Sequence, residues 1–99
     1  EPQTTSLAVQ AGRRLWHVHN CSACHQIYGM GGFLGPDLTN SYTQRGPQHI
    51  RSTLLNGFGN MPRFGLDEVE ADSLVEYLRS VDRTGEYPPR EGSRNPFPN

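Results

Sequence analysis

Lysine is absent from the chain: all nine basic residues among the 99 are arginine, set against ten carboxylates for a formal net charge of −1. Neither a nucleic-acid-binding stripe nor a polybasic membrane-binding segment fits that balance. Long apolar runs are also missing, so no stretch could cross a bilayer as a helix, and no signal peptide is recognisable. The expectation is a mature protein, or a soluble piece cut from an anchored one. Apolar residues reach only 33%, while Gly and Pro number 11 and 8. A chain of this length lies near the lower limit for a self-sufficient core. So polar a chain would be marginal alone, and a large apolar cofactor would give it something to fold around.

Cysteine is scarce too, and both copies fall in one run, Cys21-Ser22-Ala23-Cys24-His25. C-x-x-C-H is the attachment signature of a c-type haem: each thiol adds across a vinyl group and the adjacent imidazole is carried under the iron. Three rivals exist for the same residues. A thioredoxin-like dithiol expects alternating strands and helices around it, which are not visible. A structural zinc site needs further ligands at finger-like spacings, and adjacent Cys24 and His25 would chelate one ion awkwardly, even with His17 and His19 nearby. A disulfide across two residues would close a tiny loop and scarcely restrict the unfolded chain. Covalent haem leads, with the dithiol and zinc readings behind it.

Along the chain, residues 1–6 read as a polar lead-in, with Thr5 or Ser6 able to cap a first helix. Leu7, Ala8, Ala11, Leu15 and Val18 recur at helical spacing and predict its buried stripe. Gly12 within it costs about 1 kcal/mol relative to Ala, unless another helix crosses there and needs the missing side chain. Trp16 falls on the same face as Gly12. Residues 26–34 hold three glycines and predict a loop, followed by the turn Gly35-Pro36-Asp37-Leu38. A second helix is expected over 47–56, with Pro47 at its first position, Ile50, Leu54 and Leu55 inside, and Asn56-Gly57 as the stop. A loop with Met61-Pro62 comes next. The third helix is capped by Asp67 with Glu70 in capping-box position, and buries Ala71, Leu74, Val75, Leu78 and Val81, with Tyr77 at the margin. No strand is expected. The fold class is a small all-α domain, three main helices around one haem over residues 1–81, with an irregular Pro-rich tail over 82–99.

The second axial position decides what such a haem can do. Methionine there raises the potential and closes the site, which suits electron transfer; an open position would admit small ligands. Met30 lies too near His25 to reach the opposite face of the ring. Met61, presented after a full helix and stiffened by Pro62, is the expected ligand. His49 is the bis-histidine rival, while His17 and His19 read as surface or packing residues. The outer nitrogen of His25 needs an acceptor, for which a carbonyl in the Gly35-Pro36 turn is placed well. Ile27, Phe33 and Phe64 are expected to frame an exposed haem edge, and Arg63 or Arg51 to pair with a propionate.

Four features together resemble the class I cytochromes c over residues 5–81: Gly12 with Trp16, Cys21-Ser22-Ala23-Cys24-His25, Gly35-Pro36-Asp37-Leu38, and Met61-Pro62. The resemblance implies a crossing of first and last helices at Gly12 near Tyr77, Pro36 as the acceptor for the proximal imidazole, and a His25/Met61 ligand pair on one covalent haem c. The run over 20–38 and the tail around Tyr87-Pro88-Pro89 further resemble the cytochrome c subunit of bacterial nitric oxide reductases. In that family the subunit is anchored by an N-terminal helix and passes electrons to a haem of its catalytic partner. This sequence shows no such helix, and carries Met30 and Gly32 where that family usually has an acidic and a small residue.

The expected function is therefore non-enzymatic one-electron transfer. The expected partner is a membrane respiratory complex such as a nitric oxide reductase or terminal oxidase. The expected place is the periplasm or the outer face of the cytoplasmic membrane, where haem attachment of this kind occurs. A free periplasmic shuttle and a haem-based sensor or peroxidase with a labile sixth ligand are the alternatives.

Overall fold

In a computed structural model of the chain, residues 6–59 and 61–89 are described. Helix α1 runs Leu7–Val18, α2 Ser41–Arg45, α3 Pro47–Asn56 and α4 Glu68–Asp82, with a 3₁₀ turn at Cys21–Ala23. Strands β1, Gln26–Ile27, and β2, Met30–Gly31, pair antiparallel.

The side chain of Ser6 caps α1 by accepting from Val9 N–H at 3.1 Å. The inward face of α1 is only part of the expected stripe: Ala11 and Leu15 are half-buried, with Leu15 packed on the core, Leu7 and Val18 are 83% and 67% exposed, and Gly12 and Trp16 are buried. The cause is the approach of α4. A Cβ on Gly12 would overlap the Ser73 carbonyl and lie 2.7 Å from Cβ of Tyr77. That crossing turns Trp16 onto the Tyr77 ring, with centroids 5.8 Å apart, and leaves Leu7 and Val18 facing outward. Backbone proximity at a glycine outranks summed hydrophobicity here.

Asp67 caps α4, accepting from Glu70 N–H at 2.8 Å while the Glu70 carboxylate accepts from Asp67 N–H at 3.0 Å. This reciprocal box satisfies two of the helix's orphan donors. Its apolar stripe, Ala71, Leu74, Val75 and Leu78, joins Trp16, Ile50, Leu54 and Leu66 in one core; Val81 and Leu55 are only half-buried. Burying one such Leu fully contributes about 1.5–3 kcal/mol.

Two elements depart from expectation. Among the described residues the five-residue α2 adds a short helix to the three expected main ones; Gly46, at φ 89°, separates it from α3, whose first residue is Pro47. The β1–β2 hairpin turns at Tyr28 and Gly29, φ 52° and 76°, the doubly left-handed pattern of a tight hairpin. Two-residue strands and a five-residue helix are too short to print a period on the sequence.

Residues 83–89 hold no helix or strand, and 90–99, like the 1–5 lead-in, lie outside the described residues. The side chain of Asn40 donates to Asp82 Oδ1 at 3.0 Å and to Gly85 O at 2.7 Å, and accepts from Tyr87 N–H at 2.9 Å. Tyr28 and Thr84 share a hydroxyl hydrogen bond of 2.5 Å. The start of the tail is thus folded back onto the hairpin.

Candidate cofactor site

Asn20, in the left-handed region at φ 56°, breaks α1 and starts the turn over Cys21–Ala23. Asn accepts that conformation at little steric cost. The amides of Cys24 and His25 both donate to Cys21 O, at 3.1 and 3.0 Å, so one tight turn carries both thiols and the imidazole. Cys21 and Cys24 are free, half-buried thiols, not joined to one another. Burial pushes the Cys21 thiol up to about 11, a backbone hydrogen bond opposes this, and the charge of Cys24 adds to it.

His25 Nδ1 lies 2.8 Å from Pro36 O. A carbonyl can only accept, so Nδ1 holds the proton and Nε2 keeps the lone pair that binds a metal. The ring rests on Gly35, where a Cβ would stand 2.7 Å from Nδ1 and 3.0 Å from Nε2. Gly31 and Gly32 approach the carbonyls of His25 and Ala23 equally closely. Two of the three glycines expected as a loop signal, Gly31 and Gly32, are thus places where chain lies directly on the cysteine–histidine turn. Gly32 N–H donates to Ser22 O at 2.9 Å and Gly35 N–H to Cys24 O at 2.7 Å.

Three side chains brace this loop in ways the sequence does not announce. Gln26 is buried and its amide donates to the carbonyls of Gly32 and Gly35. Thr39 is fully buried and its hydroxyl accepts from Tyr28 N–H at 2.6 Å. The Asp37 carboxylate accepts from Gly29 N–H at 2.7 Å and Thr39 N–H at 2.8 Å. Burial works to raise the Asp37 pKa, but the hydrogen bonds from Thr39 and Gly29 outweigh it and hold it below the ordinary value. The position of Gln26 directly after His25, and of Asp37 within the Pro36 turn, are the signals that could have drawn notice.

Met61 and Phe58 exchange backbone hydrogen bonds of 2.9 and 3.1 Å, closing a narrow loop. Met61 borders the apolar core together with Cys21, Ile27, Leu38, Leu55 and Phe64, all only partly buried. Met30 is 74% exposed in β2. His17 and His49 are exposed, and His49 sets its ring edge-on to Phe58 at 6.3 Å. His19 packs on Phe64 at 5.4 Å. Phe33 is exposed, whereas Ile27 and Phe64 lean on the core. Arg51, one of the two arginines expected to pair with a propionate, is held by Asp72 at 2.6 Å and Glu68 at 3.4 Å, across α3 and α4. Arg63 is exposed.

These residues suit a flat apolar cofactor with a metal centre. Two free thiols and one oriented imidazole are the donor set of a covalent haem, and the half-covered rim beside Cys21 and Met61 is apolar. Among the described residues, no three His, Cys, Asp or Glu side chains gather as a metal site. An open cleft of about 460 Å³ lined by Pro47, Gln48, Arg51, Asp72, Val75 and Glu76 shares no residue with that rim.

Comparison with known proteins agrees with this chemistry. The family described as cytochrome c oxidase, cbb3-type, subunit III matches residues 7–78. The C subunit of the nitric oxide reductase of Stutzerimonas stutzeri is 29% identical over 97 residues, covering 85% of this chain and 66% of the relative. Its namesake from Halomonas halodenitrificans is 28% identical over 89 residues, 76% of this chain and 59% of that one. For Paracoccus denitrificans the figures are 27% over 107 residues, 92% and 71%. The chain spans about two thirds or less of the length of the first two relatives. With the family match covering most of its length, the chain belongs to the cytochrome c oxidase, cbb3-type, subunit III family, as a cytochrome c domain of respiratory electron transport with one covalently bound haem c and its iron.

Proposed function

We propose that the chain transfers single electrons within a membrane respiratory complex, with Cys21 and Cys24 as the thioether anchors and His25 and Met61 as the axial ligands. The hydrogen bond from His25 Nδ1 to Pro36 O, 2.8 Å, carries the reading, because it fixes the tautomer and presents Nε2. Haem supplies the reversible Fe(III)/Fe(II) couple. The protein's part is to hold that couple still and dry on one side. His25, braced by Pro36 and Gly35, cannot rotate, and the closed Phe58–Met61 loop presents a thioether against an apolar wall. A thioether paired with an imidazole raises the potential and leaves no position for an exogenous ligand, so the role is carriage rather than catalysis. Little atomic rearrangement need accompany the change of charge.

The relatives are named as C subunits of nitric oxide reductases, which supports donation to a catalytic partner in a membrane complex, at the periplasmic face. No helix of the described residues is long and apolar enough to cross a membrane. Fractionation of the native gene product tests this: recovery with the membrane complex is expected, and recovery as a separate soluble protein would favour the free shuttle.

Axial ligation is tested by Met61→Ala. The wild-type ferrous protein is expected to bind carbon monoxide slowly or not at all, and the variant readily, with a lowered potential. An unchanged spectrum and potential in the variant would remove Met61, and rapid binding by the wild type would favour the sensor or peroxidase reading.

A further inference from the structure

The Pro36 carbonyl that accepts the hydrogen bond from His25 Nδ1 belongs to the peptide joining Pro36 to Asp37. A peptide is planar, so its tilt is set by ψ of Pro36 and φ of Asp37; whatever holds Asp37 aims the carbonyl. Asp37 is held on three sides. Its backbone bridges Gln26, with Leu38 N–H donating to Gln26 O at 2.8 Å. Its Oδ2 accepts from Gly29 N–H at 2.7 Å, in the hairpin turn, and its Oδ1 from Thr39 N–H at 2.8 Å, on the far side. Thr39, fully buried, returns to the same hairpin through Tyr28 N–H. Each grip is anchored in structure that does not include Pro36 itself.

We propose that Asp37 is a positioning residue for the His25–Pro36 hydrogen bond, its doubly held carboxylate setting the direction of the Pro36 carbonyl. Through that carbonyl it governs how strongly His25 donates electron density to the iron, since an acceptor on the outer nitrogen raises ligand basicity. The inference rests on the reading of His25 as an axial ligand. Its plain rival is that Asp37 only closes a turn, supplying acceptors to two half-buried amides that need them.

The test compares haem-loaded wild type with Asp37→Ala, Asp37→Asn and Asn40→Ala, reading the exchange rate of the His25 Nδ1 proton by NMR and the reduction potential. Asn40 binds Asp82, Gly85 and Tyr87, so its loss loosens the tail against the hairpin, where Tyr87 packs on Tyr28, while leaving every hydrogen bond of Asp37 in place. Asp37→Ala is expected to speed the exchange about tenfold, the scale of one hydrogen bond to a charged group, and to raise the potential. Asp37→Asn keeps one acceptor oxygen and falls between, and Asn40→Ala lowers stability while changing neither. Unchanged exchange with equal potential shifts in both Asp37 variants would mean charge alone and overturn the inference; so would Asn40→Ala matching Asp37→Ala. Should Asp37→Ala yield no holoprotein, Asp37→Asn decides by the same reading. A wild-type His25 without the shifts of an iron-bound imidazole sinks the axial reading, and this inference with it, before any variant is compared.

Discussion

Gly12 and Ser73 meet backbone to backbone. A single carbon added to Gly12 would overlap the Ser73 carbonyl, so α1 and α4 approach more closely there than a residue with a Cβ would allow. Helix α1 leads into Cys21, and the loop of Met61 leads into α4. The crossing therefore ties the Cys21 turn to the loop of Met61.

Gly12→Ala measures that constraint. On propensity alone Ala would stabilise a helix interior by about 1 kcal/mol. Here the obstacle is backbone, which cannot swing aside, and overpacking costs about 1–3 kcal/mol. The expected outcome is a net loss of stability, read as a lower urea midpoint with an unchanged slope. A rise in the midpoint would mean that the helices separate easily.

Such a residue also shows what can be read in advance. The bounds of α3 and the capping box of α4 are legible because their signals are local: Pro47 at one end, Asn56-Gly57 at the other, Asp67 with Glu70. The inward face of α1 is only partly legible from its apolar spacing: Leu15 leans on the core as the stripe requires, but Leu7 and Val18 face out, and Gly12 and Trp16 are the buried pair. Gly12 held the information, as a glycine that a helix would otherwise avoid. Around the site, the turn Gly35-Pro36 beside His25 is local enough to anticipate. The grips of Gln26, Asp37 and Thr39 depend on which amides the folded chain brings near, and no spacing announces them.

Gly35→Ala should disturb His25 without disturbing the loop. Gly35 is not among the residues with left-handed φ, so Ala is tolerated by the backbone and only the contact with the ring changes. Its Cβ would lie 2.7 Å from Nδ1, driving the imidazole away from Pro36 O. The expected result is a lower yield of holoprotein and a partial shift from low to high spin in its visible spectrum. A wild-type spectrum at full yield would show that the ring can tilt aside freely.

Arg51→Ala should leave the reduction potential unchanged. The guanidinium spans Asp72 and Glu68, and a surface pair of this kind adds little to stability and less at high salt. Voltammetry of the variant decides the matter: a clear shift in potential would return Arg51 to the neighbourhood of a propionate.

Asp37 should leave its mark on acid stability. Its folded pKa lies below the ordinary 3.8, because the amides of Thr39 and Gly29 favour the carboxylate more than burial disfavours it. A depressed acid contributes stability above its unfolded pKa and loses it as pH falls through the folded value. Asp37→Asn, which resembles the protonated acid, should therefore be less stable than wild type by a constant amount at pH values above the carboxylate range. The gap should narrow below pH 3.8 and close once the folded carboxylate is protonated. Urea unfolding at a series of pH values reads the gap directly. A gap that persists unchanged into strong acid would mean that Asn costs packing rather than charge-assisted hydrogen bonds, and that the carboxylate is not the form the two amides select.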